Sequence, residues 1–370
     1  MKVIIISSDR KIFEGGSPVE RRMIEYGALV EELHIIVFTQ SGFENKNPGR
    51  NISVYPTNSK SKWHYIRDAY RIGRTLEDID LVTAQDPFEA GFSAWRIAKK
   101  LQAKLQLQVH TDFLSPFFAK ESVLNVLRVR VARFLLPRAS CVRVVSERIK
   151  NSLAISLGLP VTKITVLPIF VDTKRVRDAS AHIDLRLRYP QFDFIVLMAS
   201  RLTKEKNIAL ALRAFQKVVK KYPKTGLIVI GEGRELHTLG TLATSLNLQG
   251  NIIFDGWQTD LISYYKTADL FLLTSNYEGY GMTLIEAASA GRAIVTTDVG
   301  VVGDTINAEN ALVCAVGDET CITQSIRRVI ENKGLRERLE QATAMATEQM
   351  PVRSNEQYIE KYVQGWQNCS

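Results

Sequence analysis

Residues 269–291 read DLFLLTSNYEGYGMTLIEAASAG, and their reading decides the fold. The run 270–273 is short, continuous and apolar, as a strand buried on both faces requires. Residues 283–290 carry helical spacing and stop at Gly291, a residue suited to the left-handed turn that closes a helix. Strand, loop and helix in that order predict one βα unit of a parallel α/β sheet. The loop holds Glu278, Gly279 and Gly281, and its glycines have no Cβ to keep a ligand away. The helix start, Gly281, Met282 and Thr283, offers orphan N–H groups and the positive end of a helix dipole, which together suit a phosphate.

Glu278 lies in the loop and Glu286 about one turn into the helix, so both carboxylates can face the crevice at the carboxyl end of the strand. A carboxylate accepts two hydroxyl hydrogen bonds at once, which fits the vicinal diol of a sugar or ribose. Glu278, seven residues, Glu286 and the run AASAG resemble the EX7E signature of retaining GT-B glycosyltransferases, specifically glycosyltransferase family 4. That resemblance extends over nearly the whole chain.

At 370 residues the chain is too long for one ordinary core and suits two domains. With 45% hydrophobic and 24% charged residues it reads as a globular protein, and no apolar run reaches the length of a membrane helix. Cys141, Cys314, Cys321 and Cys369 form no CxxC pair and no metal-ligand spacing, which predicts a reduced cytoplasmic protein without structural disulfides. The net charge of +9 resides wholly in residues 1–185, which hold 28 Lys and Arg against 19 Asp and Glu. A basic half-molecule predicts an anionic partner.

In that half, the strand KVIIISS and the glycines Gly15 and Gly16 precede a helix over about 19–32, a βαβ entry without the GxGxxG of a dinucleotide site. The absence of that fingerprint disfavours an NAD dehydrogenase. Strands near 33–39, 52–55, 80–84, 105–110, 141–145 and 164–167 alternate with helical patterns, giving a parallel doubly wound sheet. The strand LQLQVH ends at His110, where an imidazole is well placed for chemistry.

Residues 60–74 interleave Lys60, Lys62, Arg67, Arg71 and Arg74 with Trp63, Tyr65 and Tyr70. Residues 117–138, from Phe117 to Arg138, place Leu124, Leu127, Val131 and Leu135 on one stripe beside Arg128, Arg130 and Arg133. Both read as amphipathic helices with basic rims that could rest peripherally on an anionic membrane; the alternative is packing on their own sheet with solvated arginines. No nucleic-acid module signature accompanies them.

The segment TVLPIFVD at 165–172 resembles the family's PNGVD entry to the interdomain link, with Ile169 and Phe170 in place of Asn-Gly. In the second half a strand at 194–200 leads into Arg201 and Lys206, a fork and a point charge bracketing one turn. GLIVIGEG at 226–233 and IIFDGW at 252–257 add further strands.

The resemblance implies an α/β fold of GT-B architecture: two Rossmann-like doubly wound parallel-sheet domains facing an interdomain cleft. Residues 1–172 would bind the acceptor, 173–184 would link, 185–352 would bind the nucleotide sugar, and the helix 353–370 would pack back on the first domain. It implies hexosyl transfer from a nucleotide-diphosphate sugar to a hydroxyl with retention, serving cell-surface glycolipid or polysaccharide synthesis. Arg201 and Lys206 would grip the diphosphate, Glu286 the ribose, Glu278 the donor sugar, and His110 the donor sugar or incoming hydroxyl. Gly15 and Gly16 would face the donor phosphate, Gly256 would lie near the nucleobase, and no metal is expected because Arg201, Lys206 and the helix dipole would neutralise the diphosphate. The acceptor could be lipid-linked, polysaccharide or small. A nucleotide-sugar epimerase, a phosphorylase, or a silent nucleotide-sugar-binding subunit are the rival readings.

Overall fold

A computed structural model describes residues 1–369 as two α/β units, one formed by residues 1–168 with the chain from 354 onward and the other by residues 169–353.

The first unit is built on an eight-stranded sheet: β1 (Lys2–Ser7), β2 (Glu32–Val37), β3 (Lys46–Gly49), β4 (Ile52–Pro56), β5 (Leu81–Ala84), β6 (Lys104–Val109), β7 (Cys141–Val144) and β8 (Ile164–Val166). Their order is β3-β4-β2-β1-β5-β6-β7-β8, with every pairing parallel except the edge pair β3–β4. The sequence reading missed β3, whose KNPG carries neither alternation nor an apolar run.

The second unit holds β9 (Phe194–Ala199), β10 (Thr225–Ile230), β11 (Ile252–Phe254), β12 (Leu270–Leu273), β13 (Ala293–Thr297) and β14 (Leu312–Cys314) in the order β11-β10-β9-β12-β13-β14, all parallel. β9, β10, β12 and β13 are buried at every residue, as strands covered on both faces by helices must be. The order reverses between β9 and β12, which makes their carboxyl ends the topological switch point where open α/β sheets bind ligands.

Several expectations change in detail. Residues 173–184, read as a linker, lie in the second unit and carry a helix, Thr173–Asp178, capped by the Asp172 carboxylate, which accepts from the Arg175 N–H at 2.9 Å. Lys266 Nζ donates to the carbonyls of Arg177 and Ala179, and Ser263 Oγ accepts from the His182 N–H at 2.8 Å, so this polar run is fastened by backbone bonds that its composition does not reveal. The stretch 117–138 is two helices, Pro116–Lys120 and Val123–Leu135, because Ser122 turns out of the first and caps the second.

The four cysteines are not free. Cys141 is bonded to Cys369 and Cys314 to Cys321, which corrects the reading of a chain without disulfides. Cys141 and Cys369 are 228 residues apart in sequence and 5.5 Å apart at Cα, a proximity the fold creates and spacing cannot show. In the chain-entropy picture a loop of that length contributes about 5 kcal/mol and the seven-residue Cys314–Cys321 separation only about 2. Reduction with dithiothreitol is therefore expected to lower the urea midpoint of the first unit well before that of the second; equal shifts would contradict it.

The last helix, Asn355–Gln367, belongs to the first unit. It buries Tyr358, Ile359, Tyr362, Val363 and Trp366, and Tyr362 stacks on Tyr26 with ring centroids 4.4 Å apart.

Candidate functional site

At the switch point of the second unit, β9 and β12 end side by side and the loops that follow them are stitched together. Thr274 Oγ1 donates to the carbonyls of Lys206 and Asn207, both at 3.1 Å, and the Asn276 N–H donates to the Glu205 carbonyl at 2.7 Å. Asn207 turns through φ 44°, a left-handed value that asparagine tolerates, and begins the helix Ile208–Val219.

These bonds carry Lys206 to Glu278. Lys206 Nζ lies 2.6 Å from Glu278 Oε1, and Ser275 Oγ donates to the same oxygen at 2.7 Å. Both side chains are nearly buried, 14% and 11% exposed, so each neutralises a charge the other could not leave uncompensated. Glu278 Oε1 is thus taken twice, while Oε2 has no partner among the described residues and remains an acceptor. Lys206, Ser200, Thr274 and Ser275 line a small recess between the two strand ends, floored by Met198 and Leu272.

Glycines shape the walls. Gly231, at φ 128°, sits where a Cβ would meet the Ser200 carbonyl at 1.9 Å, and one on Gly233 would meet that of Leu202 at 2.2 Å. The turn after β10 therefore clears the path of the loop bearing Arg201. Arg201 itself is exposed and pairs with Glu205 at 3.3 Å. Gly300, at φ 58°, lets a third loop press on Glu278 and Tyr280.

The helix after this loop runs Met282–Ser289, with Gly281 at φ 92° as an N-cap that supplies no side-chain acceptor. Its first N–H groups are left for a ligand or solvent. One turn in, Glu286 Oε2 accepts from the fully buried Tyr265 hydroxyl at 2.8 Å. Burial raises the Glu286 pKa above the usual carboxylate range, and the Tyr265 bond partly offsets it. Gly256 follows β11 at φ 66° with open space around it, beside the exposed Trp257. Gly279 lies between Glu278 and Gly281 in the same loop, and Met282 is partly exposed.

The remaining sequence-derived residues lie in the first unit. His110 follows β6, half-buried, with Nε2 3.1 Å from Gln108 Oε1. Gly15 and Gly16 precede the helix Pro18–Gly27, with nothing near either Cα on the side a Cβ would take. The Gly16 N–H is already committed, because it donates to the Glu20 carboxylate, which Lys46 holds at 2.6 Å. Among the described residues no group of three or more His, Cys, Asp or Glu is arranged to hold a metal ion.

Two family models match the chain: Glycosyl transferases group 1 over residues 186–345 and Glycosyltransferase Family 4 over residues 27–175. The chain belongs to the group 1, family 4 glycosyltransferases. This family 4 member is 28% identical over 194 residues to the lipopolysaccharide core biosynthesis glycosyltransferase LpsD of Rhizobium meliloti, covering 52% of the chain and 54% of that relative. It is 26% identical over 327 residues to the N-acetyl-alpha-D-glucosaminyl L-malate synthase of Bacillus anthracis, covering 83% and 82%. The chain spans about half the length of most curated relatives it matches. Among solved structures, Anabaena HepE in complex with UDP and glucose matches the family 4 fold over all of both chains, with a TM-score of 0.78 at 19% identity.

Sequence reasoning missed Ser275, Tyr265 and Gly300. Ser275 and Gly300 sit two and three residues past buried strands and so carried a positional signal, whereas Tyr265, on the helix Leu261–Thr267, carried none.

Proposed function

We propose that the protein is a retaining transferase that moves a hexosyl group from a nucleotide-diphosphate sugar to a hydroxyl of a lipid-linked or saccharide acceptor during cell-surface glycoconjugate synthesis. The observation that carries this reading is the Lys206–Glu278–Ser275 cluster at the switch point, beside a helix start with no side-chain cap and with Glu286 one turn in. The named activities of LpsD and of the N-acetyl-alpha-D-glucosaminyl L-malate synthase support glycosyl transfer, and the UDP and glucose in the HepE complex support a UDP-hexose donor.

The bond from the anomeric carbon to the diphosphate oxygen breaks, and a bond from that carbon to the acceptor oxygen forms on the same face. The acceptor proton passes to the departing phosphate. Lys206, Arg201 and the N–H groups at Gly281, Met282 and Thr283 stabilise the charge that develops there, so the reaction needs no metal ion. Glu286 accepts the ribose diol, Glu278 Oε2 a hydroxyl of the donor sugar, and His110 a further hydroxyl. Gly15, Gly16, Gly256 and Gly279 allow close approach of backbone.

A thermal-shift series with UDP, GDP, ADP and their sugar conjugates in EDTA tests this. One nucleotide at about 100 times its Kd adds roughly 2.7 kcal/mol to the folded state. A selective shift for UDP compounds is expected. No shift with any of them would overturn the reading, and binding without turnover would leave only a nucleotide-sugar-binding subunit.

The titration of Glu286 supplies a pH test. Its raised pKa means the carboxylate needed for the diol is lost at a higher pH than for a free glutamate. Tyr265→Phe removes the hydrogen bond that opposes the rise, so the acid limit of nucleotide binding should move to higher pH. An unchanged limit, measured by calorimetry across pH, would remove Glu286 from the nucleotide site.

The basic half is proposed to rest on an anionic membrane. On the helix Val123–Leu135 only Asn125, Ala132 and Leu135 are buried, while Val123 is 88% and Leu127 52% exposed, alongside exposed Leu124, Arg130 and Arg133. Residues 60–74 contribute less, because Tyr65 is buried against Phe38 and Tyr70 lies beneath Arg96, leaving Trp63 outward. Leu124→Glu with Leu127→Glu should abolish flotation with anionic vesicles without lowering stability; undiminished flotation would remove this face from consideration.

A further inference from the structure

We infer that Gln108, Arg143 and Tyr362 are positioning residues that hold His110 as the Nε2–H tautomer and present its Nδ1 as a fixed acceptor for a substrate hydroxyl. The inference rests on the transferase reading only for what that hydroxyl belongs to; the tautomer follows from the geometry.

Gln106, Gln108 and His110 alternate along the end of β6 and so share one face of the sheet. That face is covered by the helix Asn355–Gln367: Gln106 Nε2 donates to the Gly365 carbonyl at 3.1 Å, and Gln108 Nε2 to the Tyr362 hydroxyl at 2.7 Å. Arg143 stands opposite Gln108 in the β6–β7 register, 4% exposed. Its guanidinium donates to Gln108 Oε1 at 3.0 Å, to the Leu167 carbonyl at 3.1 Å and to the Tyr358 hydroxyl at 3.0 Å, and it lies 4.6 Å from the Tyr362 ring centroid.

A guanidinium has donors and no acceptor, so the atom of Gln108 that faces it is the oxygen. The same oxygen lies 3.1 Å from His110 Nε2, which must therefore carry the proton. Nδ1 is left with a lone pair and no partner among the described residues. The charged groups that face the ring are Arg143 on β7 and Arg22 on the helix Pro18–Gly27, both cations. Burial first, then these two, push the imidazole down to about 3, so near neutral pH it is uncharged and works as an acceptor rather than as a proton shuttle.

Nitrogen-15 NMR of the histidine side chains tests this on the full chain without any substrate, so it fails or succeeds independently of transferase activity. The chain has five histidines, and His110→Asn identifies the signal. The expected result is an Nε2–H pattern for His110 that does not titrate between pH 8 and pH 5. Gln108→Glu keeps an oxygen toward both partners but adds a negative charge, and should bring the titration of His110 into that range, with a new acid limb in kcat. Tyr362→Phe keeps the ring beneath Arg143 and removes only the hydroxyl, and should lower kcat several-fold with KM for the nucleotide sugar unchanged. An Nδ1–H pattern in the wild type, titration above pH 5, or a Gln108→Glu variant whose His110 is unmoved would overturn the inference.

Discussion

Lys206→Ala is expected to lower kcat/KM by about 100- to 1000-fold, the effect of removing one preorganised electrostatic contact, equivalent to ~2.7–4 kcal/mol. The cation is held 2.6 Å from Glu278 before any ligand arrives, so no reorganisation is needed as charge grows on the leaving diphosphate. The variant also strands a nearly buried carboxylate, which by itself would disturb the loop. Comparing the double variant Lys206→Ala with Glu278→Gln against Glu278→Gln alone separates the two effects. If Lys206 only neutralised Glu278, adding Lys206→Ala to Glu278→Gln would cost nothing; the expected result is a further large loss. A further loss of less than threefold would remove Lys206 from the diphosphate site.

Trp366→Ala should destabilise the first unit by about 3–5 kcal/mol, the range for deleting a large buried aromatic. Trp366 is fully buried and meets Tyr26 and Tyr362 edge-on, with centroids 5.7 and 5.3 Å away. Its Nε1 has no hydrogen-bond partner among the described residues, so the loss there is one of packing. Urea unfolding followed by a probe in the first unit should show the lower midpoint, while a probe in the second should not. A change under about 1 kcal/mol would mean that the last helix does not hold the sheet as the contacts describe.

The fold was legible because parallel strands buried on both faces write continuous apolar runs, as 194–199 and 270–273 do, and because loops at their carboxyl ends collect glycine and charge. The edge strand 46–49 was not, since an edge pairing needs no apolar face. At the site, Glu278 and Glu286 were legible from their spacing, but the pairing of Glu278 with Lys206 joins loops 72 residues apart and leaves no trace in either. Gln106 and Gln108 did leave one. Two amides alternating inside an otherwise buried strand call for partners, and two of these, Gly365 and Tyr362, lie more than 250 residues on. The disulfide Cys141–Cys369 spans 228 residues for the same reason.

The return of the last helix to the first unit sets an order of events on the ribosome. The second unit is one unbroken stretch and can close as soon as it has emerged, whereas the first, begun earlier, keeps the amide-bearing face of β6 and β7 bare until residues 355–367 appear. At about 5–20 residues per second that wait lasts some 10–40 s. The half of the protein made first is therefore the half finished last, and a nascent chain stalled before Tyr358 presents a sheet with its arginine and glutamines uncovered, a form on which chaperones and proteases can act.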